Sequence, residues 1–95
     1  MRLLIAAVGR LKQGPERDLF RHYLDRTEMA GNKLGLAPVT VVEVPESRGP
    51  TPAARTAAEA MVMLGKVPPS HKLVCLDREG DQLGSAEFAH AISGF

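Results

Sequence analysis

Apolar residues along the chain follow two alternating patterns. Three runs are continuously apolar or β-branched: residues 2–8, 39–44 and 72–76. Such runs are typical of strands buried on both faces of a parallel sheet. Between and after them, apolar side chains recur at helical spacing in three segments: residues 15–34, 52–66 and 86–92. The predicted order is β-α-β-α-β-α, which indicates an α/β fold with a parallel sheet and helices on both faces.

Residues that start and stop helices support these boundaries. Pro15 and Pro52 suit the first helical position, where a missing N–H costs no hydrogen bond, and Thr51 is a favoured N-cap. Gly35 supplies the stop of the first helix, and we expect Ser85 to cap the last one. Each predicted helix therefore begins at a start signal of its own.

The second helix and the third strand both carry predictions about the core. One face of this helix is small and apolar: Ala54, Ala57, Ala58, Met61 and Leu64. These small side chains predict close packing against the sheet. Cys75 lies inside the third predicted strand with no histidine beside it, so we expect a buried core cysteine rather than a nucleophile.

The loop from Gly9 to Gly14 has the opening spacing of a phosphate-binding loop. That motif continues with lysine and a hydroxyl residue, whereas this chain continues with Pro15 and Glu16. Proline removes an N–H donor, and glutamate places a negative charge where a phosphate would lie. The residues therefore favour a plain connection from strand to helix over a small nucleotide-binding enzyme.

In open parallel sheets, ligands bind beyond the carboxyl ends of the strands. This rule selects residues 9–12, 45–49 and 76–80 as the places where a ligand would lie. Asp77, at the end of the third predicted strand, either accepts a hydrogen bond from a ligand or caps the turn before Gly80. Position alone does not decide between these two roles.

The length and composition fit one soluble α/β domain over residues 1–95, with 44% hydrophobic and 24% charged residues. Three strands make a thin parallel sheet, and the sequence ends where a next strand would begin. We therefore expect the chain to be the first part of something longer. A chain this short buries a smaller share of its surface than a larger domain, so a partner chain or a further segment is expected to complete the core.

The net charge of +1 gives no global case for nucleic-acid binding, so local clusters decide. Four basic residues gather in the first loop and helix: Arg10, Lys12, Arg17 and Arg21. They are candidates for contacts to RNA phosphates. The alternative is a solvated helix face, because Glu16, Asp18 and Asp25 lie among them.

Several site classes have little support. The single cysteine suits a reducing cytosol, and the apolar start is short for a signal peptide, so we expect a cytoplasmic protein without a membrane segment. The histidines lie far apart, at His22, His71 and His90, which predicts surface or edge positions and no metal site.

Motifs in order along the whole chain carry a resemblance to a known family. They are an Ala-Val-Gly start followed by the basic Arg10 and Lys12, the helix segment from Tyr23 to Arg26, Glu-Val-Pro at Glu43 to Pro45, and Leu-Asp-Arg-Glu-Gly at Leu76 to Gly80. Together they resemble the N-terminal part of the large-subunit (23S) ribosomal RNA pseudouridine N3-methyltransferases of type H, in the SPOUT superfamily. The resemblance implies an incomplete SPOUT-type α/β knot fold.

The resemblance also implies an activity, a cofactor and partners. Family members transfer a methyl group from S-adenosylmethionine to N3 of a pseudouridine in 23S rRNA, and they act on ribosomes as homodimers. Their cofactor lies in a C-terminal knot, whose glycine-rich loop and Pro-His-x-x-Val-Arg segment are not in this sequence. Of the family's cofactor contacts only one maps here, onto Leu76. We therefore expect these 95 residues alone to be inactive, with a noncatalytic RNA- or protein-binding module as the alternative.

Overall fold

The computed structural model describes residues 1–36 and 38–95. Its elements are β1 (Leu3–Val8), α1 (Pro15–Leu34), β2 (Val39–Val44), α2 (Pro52–Gly65) and α3 (Ser85–Ser93). The α/β class is confirmed, and these five elements follow the predicted order. The third predicted strand is the exception.

The two strands form a parallel pair with a simple register. Leu3 lies opposite Val39 at one end and Val8 opposite Val44 at the other. Helix α1 contacts β2, and α2 contacts both strands. The hydrophobic core of the described residues is small, because its buried side chains are those of Val39 and Val44, which are 9% and 2% exposed.

The prediction of a third buried strand is wrong. Residues 72–76 are exposed and form no strand in the part of the chain that the structure describes. A strand exists only with a neighbour for its N–H and C=O groups, and a short apolar run does not reveal whether that neighbour is present. The core position predicted for Cys75 is wrong for the same reason, since the cysteine is free and exposed.

Helix α1 begins and ends as predicted. Pro15 occupies the first turn after Gly14, and Gly35 ends the helix in the left-handed conformation, at a φ of 73°, donating its N–H to the carbonyl of Gly31. One side of the helix is at least half-buried: Arg17, Phe20, Leu24, Glu28 and Gly31. The apolar residues on the other side are exposed: Leu19, Tyr23, Met29 and Leu34. Only some of the apolar residues at helical spacing in α1 are therefore packed against the rest of the chain.

Helix α2 turns a different face inward from the predicted one. The small apolar face of Ala54, Ala57, Ala58, Met61 and Leu64 is exposed. Arg55, Glu59 and Met63, spaced four residues apart, are half-buried instead. Polar contacts from Arg55 and Glu59 to the preceding loop fix this orientation, and hydrophobic periodicity does not register such contacts.

Helix α3 stands apart from the other elements. Its N-cap is Gly84 rather than the predicted Ser85, and the N–H of Gly84 donates to the carboxylate of Glu87 at 3.4 Å. Within the described residues α3 contacts none of the other helices or strands. None of the described helices is both long and apolar enough to cross a membrane.

The structure as a whole is open. It exposes 8161 Å², where a folded monomer of this mass exposes about 5,300 Å². Its radius of gyration is 14.9 Å, against about 12 Å for a compact domain of this length. Much apolar surface is therefore available for contact with other protein.

Candidate functional site

The loops that follow β1 and β2 form a groove at the carboxyl edge of the sheet. The groove is lined by Gly9, Arg10, Pro45, Glu46, Ser47 and Arg48. It brings together parts of two of the three places selected from sequence, residues 9–10 of 9–12 and residues 45–48 of 45–49. The rule that ligands bind beyond strand carboxyl ends therefore leads to a concave surface in this chain.

The first loop is fixed to the end of β2 by two hydrogen bonds. The N–H of Gly9 donates to the carbonyl of Val44 at 2.7 Å, and the N–H of Leu11 donates to Glu43 Oε2 at 2.9 Å. Gly9 has a φ of 90°, and a Cβ there would lie 3.3 Å from Glu46 Oε1. Glycine therefore permits both the turn and the close approach of the second loop.

The second loop is held by side chains of α2. The N–H of Ser47 donates to Glu59 Oε2 at 2.9 Å, and Arg55 Nη1 donates to the carbonyl of Gly49 at 3.0 Å. Within the loop, the N–H of Gly49 donates to Ser47 Oγ at 3.2 Å. These bonds attach residues 47–49 to the half-buried face of α2.

The helix that holds this loop has a well-formed start. The hydroxyl of Thr51 accepts a hydrogen bond from the N–H of Ala54 at 3.0 Å, and Pro52 is the first helical residue. The predicted N-cap is therefore confirmed. It places Arg55 and Glu59 one and two turns after the loop that they hold.

Arg10 and Arg48 line the groove from opposite loops, and both side chains are exposed. Glu46 also lines the groove, whereas Glu43 and Glu59 accept hydrogen bonds from backbone N–H groups. Across residues 1–36 and 38–95, the ion pair present is that of Arg78 with Glu79. Both groove arginines are therefore available to an anionic ligand.

The four basic candidates occupy two different places. Arg10 and Lys12 lie in the first loop and are exposed. Arg17 and Arg21 lie in the first two turns of α1, where Arg17 is half-buried and Arg21 is exposed. Only Arg10 lines the groove, so the structure separates a loop pair from a helix pair.

Comparison with known proteins identifies the family. The family described as predicted SPOUT methyltransferases matches residues 1–95. The chain belongs to the SPOUT methyltransferase family. No solved structure matches it.

Several curated relatives carry the same name, Ribosomal RNA large subunit methyltransferase H. The one from Paracoccus denitrificans is 48% identical over all 95 residues, which cover 59% of its own length. The one from Rhodopseudomonas palustris is 49% identical over 89 residues, 94% of this chain and 56% of the relative. A Bradyrhizobium relative is 46% identical over 92 residues, 97% of this chain and 57% of its own length. The chain thus spans a little over half the length of these SPOUT relatives.

The third place selected from sequence, residues 76–80, does not line the groove. Asp77 Oδ1 accepts from the N–H of Glu79 at 3.0 Å, and the Asp77 carbonyl accepts from the N–H of Gly80 at 2.9 Å. Of the two roles considered for Asp77, the structure therefore shows the turn cap. Leu76, beside it, is 86% exposed.

A SPOUT methyltransferase needs a methyl donor, and the surroundings of Leu76 test how far these residues could hold one. An exposed leucine offers only an apolar surface, and the contacts of its neighbour Asp77 are those of a local turn. The described residues therefore do not make a complete donor site, and we derive no reaction step from them.

The histidines and acidic residues add no further site. His22 and His90 are exposed and His71 is half-buried, in agreement with the predicted surface or edge positions. Over the described ranges, no three residues of the metal-binding types come together in a group that could hold an ion.

Sequence reasoning missed the residues that shape the groove. Arg48 lies outside the motifs that carry the family resemblance, and only its position among residues 45–49 could have marked it. Arg55 and Glu59 gave no signal, because they act on backbone atoms of a loop six to twelve residues earlier. No spacing rule for ligands or catalytic groups describes such contacts.

Proposed function

We propose that this chain belongs to an rRNA methyltransferase that transfers a methyl group from S-adenosylmethionine to N3 of a pseudouridine in 23S rRNA. The observation that carries the proposal is the 48% identity over all 95 residues to a relative named Ribosomal RNA large subunit methyltransferase H. The family match over residues 1–95 supports the methyl transfer. The choice of donor and of nucleotide rests on the family resemblance.

The proposed chemistry makes positioning the main task of the protein. The nitrogen that is methylated must approach the methyl carbon in line with the bond that breaks. N3 of a neutral pseudouridine carries a proton, which a general base or a favourable field must remove or weaken. We assign no residue of this chain as that base.

RNA contacts are the part of the function that these residues support most directly. We propose that Arg10 and Lys12 contact backbone phosphates, with Arg17 and Arg21 as further contacts along α1. Arg10, Lys12 and Arg21 are exposed, and no carboxylate pairs with any of the four in the described part of the chain. Such contacts give affinity without reading the base sequence.

We propose that the whole protein works in the cytoplasm, on the ribosome, as a homodimer. The 8161 Å² of exposed surface supports a further covering partner, since large apolar side chains such as Met61 and Leu64 lie in it. We also propose that Leu76 meets the adenosine part of the cofactor. The 95 residues alone would then lack methyl transfer.

The whole protein tests this proposal. Ribosomes are incubated with it and with S-adenosylmethionine labelled in the methyl group, and the nucleosides of 23S rRNA are then analysed by mass spectrometry. We expect label at N3 of one pseudouridine, and none on ribosomes in which uridine replaces that pseudouridine. If calorimetry detects no cofactor binding and the rRNA gains no label, the noncatalytic binding module replaces the enzyme.

A further inference from the structure

We propose that Glu59 of α2, supported by Arg55, is a positioning residue that holds Arg48 opposite Arg10, so that the two arginines grip the RNA phosphate backbone across the groove. This inference rests on the proposed function, because RNA is the ligand. It goes further in naming Arg48 as a contact and Glu59 as the residue that places it.

Hydrogen bonds to α2 lie on both sides of Arg48. Its neighbour Ser47 donates its N–H to Glu59, and its neighbour Gly49 offers its carbonyl to Arg55, at 2.9 and 3.0 Å. The backbone on each side of Arg48 is therefore fixed to one helix. Arg48 itself is exposed and lines the groove.

The loop that carries Arg10, on the other side of the groove, is also held by hydrogen bonds. Leu11, next to Arg10 in the chain, donates its N–H to Glu43, and Gly9 on the other side donates to the Val44 carbonyl. Both arginines therefore extend from loops whose flanking backbone atoms are bonded to regular elements. Fixed backbone at both walls lowers the entropy lost when a ligand is gripped.

The chemistry of the groove favours phosphate. A guanidinium presents several N–H donors in a planar fork that matches phosphate oxygens. Glu46 is the carboxylate that lines the groove together with the two arginines. Attraction of a phosphate to the groove therefore depends on the side chains of Arg10 and Arg48. Removing either arginine should remove about one phosphate contact.

Substitutions of Glu59 test the proposal, because a charge effect and a positioning role predict opposite changes in RNA affinity. Loss of its negative charge in the E59A variant should strengthen RNA binding if charge alone matters. If Glu59 positions Arg48, E59A should instead weaken binding, because Ser47 loses its acceptor. The E59Q variant loses the same charge but keeps a side-chain oxygen that can accept from Ser47, so it should bind at least as well as the wild type.

The measurement is fluorescence anisotropy with a labelled single-stranded RNA of about 12 nucleotides. The whole protein and its variants are titrated between about 50 and 200 mM KCl, which gives the slope of log K against log salt. Each lost phosphate contact should reduce the slope by about 0.7, or about fivefold in affinity near 0.1 M salt. We expect this loss for R48Q and for E59A, and no further loss when E59A is added to R48Q.

The control variant is R26Q, which removes one positive charge outside the groove and should leave the slope unchanged. Circular dichroism spectra show whether E59A keeps its helices, and R48Q touches none of the hydrogen bonds that hold the loop. An unchanged slope for R48Q, or tighter binding by E59A, would overturn the proposal.

The same titration separates this inference from the proposed function. If the wild-type protein shows no salt-dependent binding, this inference and the proposed RNA contacts both fail, while the labelling of 23S rRNA tests methyl transfer separately. If the double variant R10Q/K12Q loses affinity while R48Q and E59A do not, the proposed RNA contacts of the first loop stand and the two-arginine grip is wrong.

Discussion

The two ends of this chain differ in whether their helices and strands pack against one another. In residues 1–65, two strands and two helices contact one another, and Val44 is only 2% exposed. In residues 66–95, α3 contacts none of the other described elements, and Leu76 is 86% exposed. Local sequence signals are present in both regions, yet only the first region brings its elements together.

The comparison separates two parts of the proposed activity. The groove and its basic residues lie wholly in the first region, where Glu43 and Glu59 accept hydrogen bonds from the two loops and Arg55 donates one to the second loop. The proposed cofactor contact, Leu76, lies in the second region without surrounding protein. RNA binding is therefore the function expected of these residues, and methyl transfer is expected of the whole protein.

The largest difference between the regions should appear on truncating an apolar side chain in each. V44A removes methyl groups from the core and should lower the free energy of unfolding by about 2 kcal/mol. L76A should change it by less than about 0.5 kcal/mol, because its side chain is already in water. Urea unfolding midpoints measure both variants, and equal losses would contradict the contrast.

A smaller loss should follow from adding a Cβ at the turn after β1. G9A places alanine at a φ of 90°, with its Cβ 3.3 Å from Glu46 Oε1. We expect a loss of about 1.5 kcal/mol in urea unfolding. G65A is the control, because the added Cβ meets no atom within 4 Å beyond its chain neighbours and the backbone of its own helix, α2. A neutral G9A would show that the loop does not depend on this turn.

Removing a hydroxyl at each helix start should have a still smaller effect, confined to the first region. T51A loses the cap on the N–H of Ala54 and should cost about 1 kcal/mol. S85A should cost less than about 0.5 kcal/mol, since Gly84 rather than Ser85 is the N-cap of α3. Thermal unfolding of the pair compares them directly, and a larger loss for S85A would restore the predicted serine cap.

The smallest effect is expected at Cys75. Because this thiol is exposed, a thiol reagent should label it in the folded chain less than about threefold more slowly than in urea. A strongly protected thiol would mean that residues 72–76 pack as the strand that the sequence predicts.

Sequence alone was most informative where the signals are local. Pro15, Gly35 and the Thr51 and Pro52 pair mark helix boundaries that the structure confirms, since each acts on backbone within a few residues. The prediction of the third strand was wrong because a strand forms only with a partner strand that is distant in sequence. The prediction that the alanine face of α2 packs against the sheet was wrong because Glu59 accepts a hydrogen bond from a loop twelve residues earlier. Hydrophobic periodicity does not indicate such a contact.

The groove was predicted in position but not in composition. The carboxyl ends of parallel strands indicated residues 9–12 and 45–49, and residues 9–10 and 45–48 line the groove. Which side chains hold the loops depends on how α2 is rotated, and that follows from packing rather than from a motif. The family resemblance added the methyltransferase assignment, which no local feature of the groove carries.

The most direct test of RNA binding by the first loop is the double variant R10Q/K12Q, whose binding is measured as the slope of log K against log salt. We expect the slope to fall by about 1.4 relative to the wild-type protein, because two phosphate contacts are lost. The matched variant K66Q/K72Q removes two positive charges from the second region and should keep the wild-type slope. An unchanged slope for R10Q/K12Q, or an equal fall for both variants, would contradict the assignment of RNA binding to the first loop.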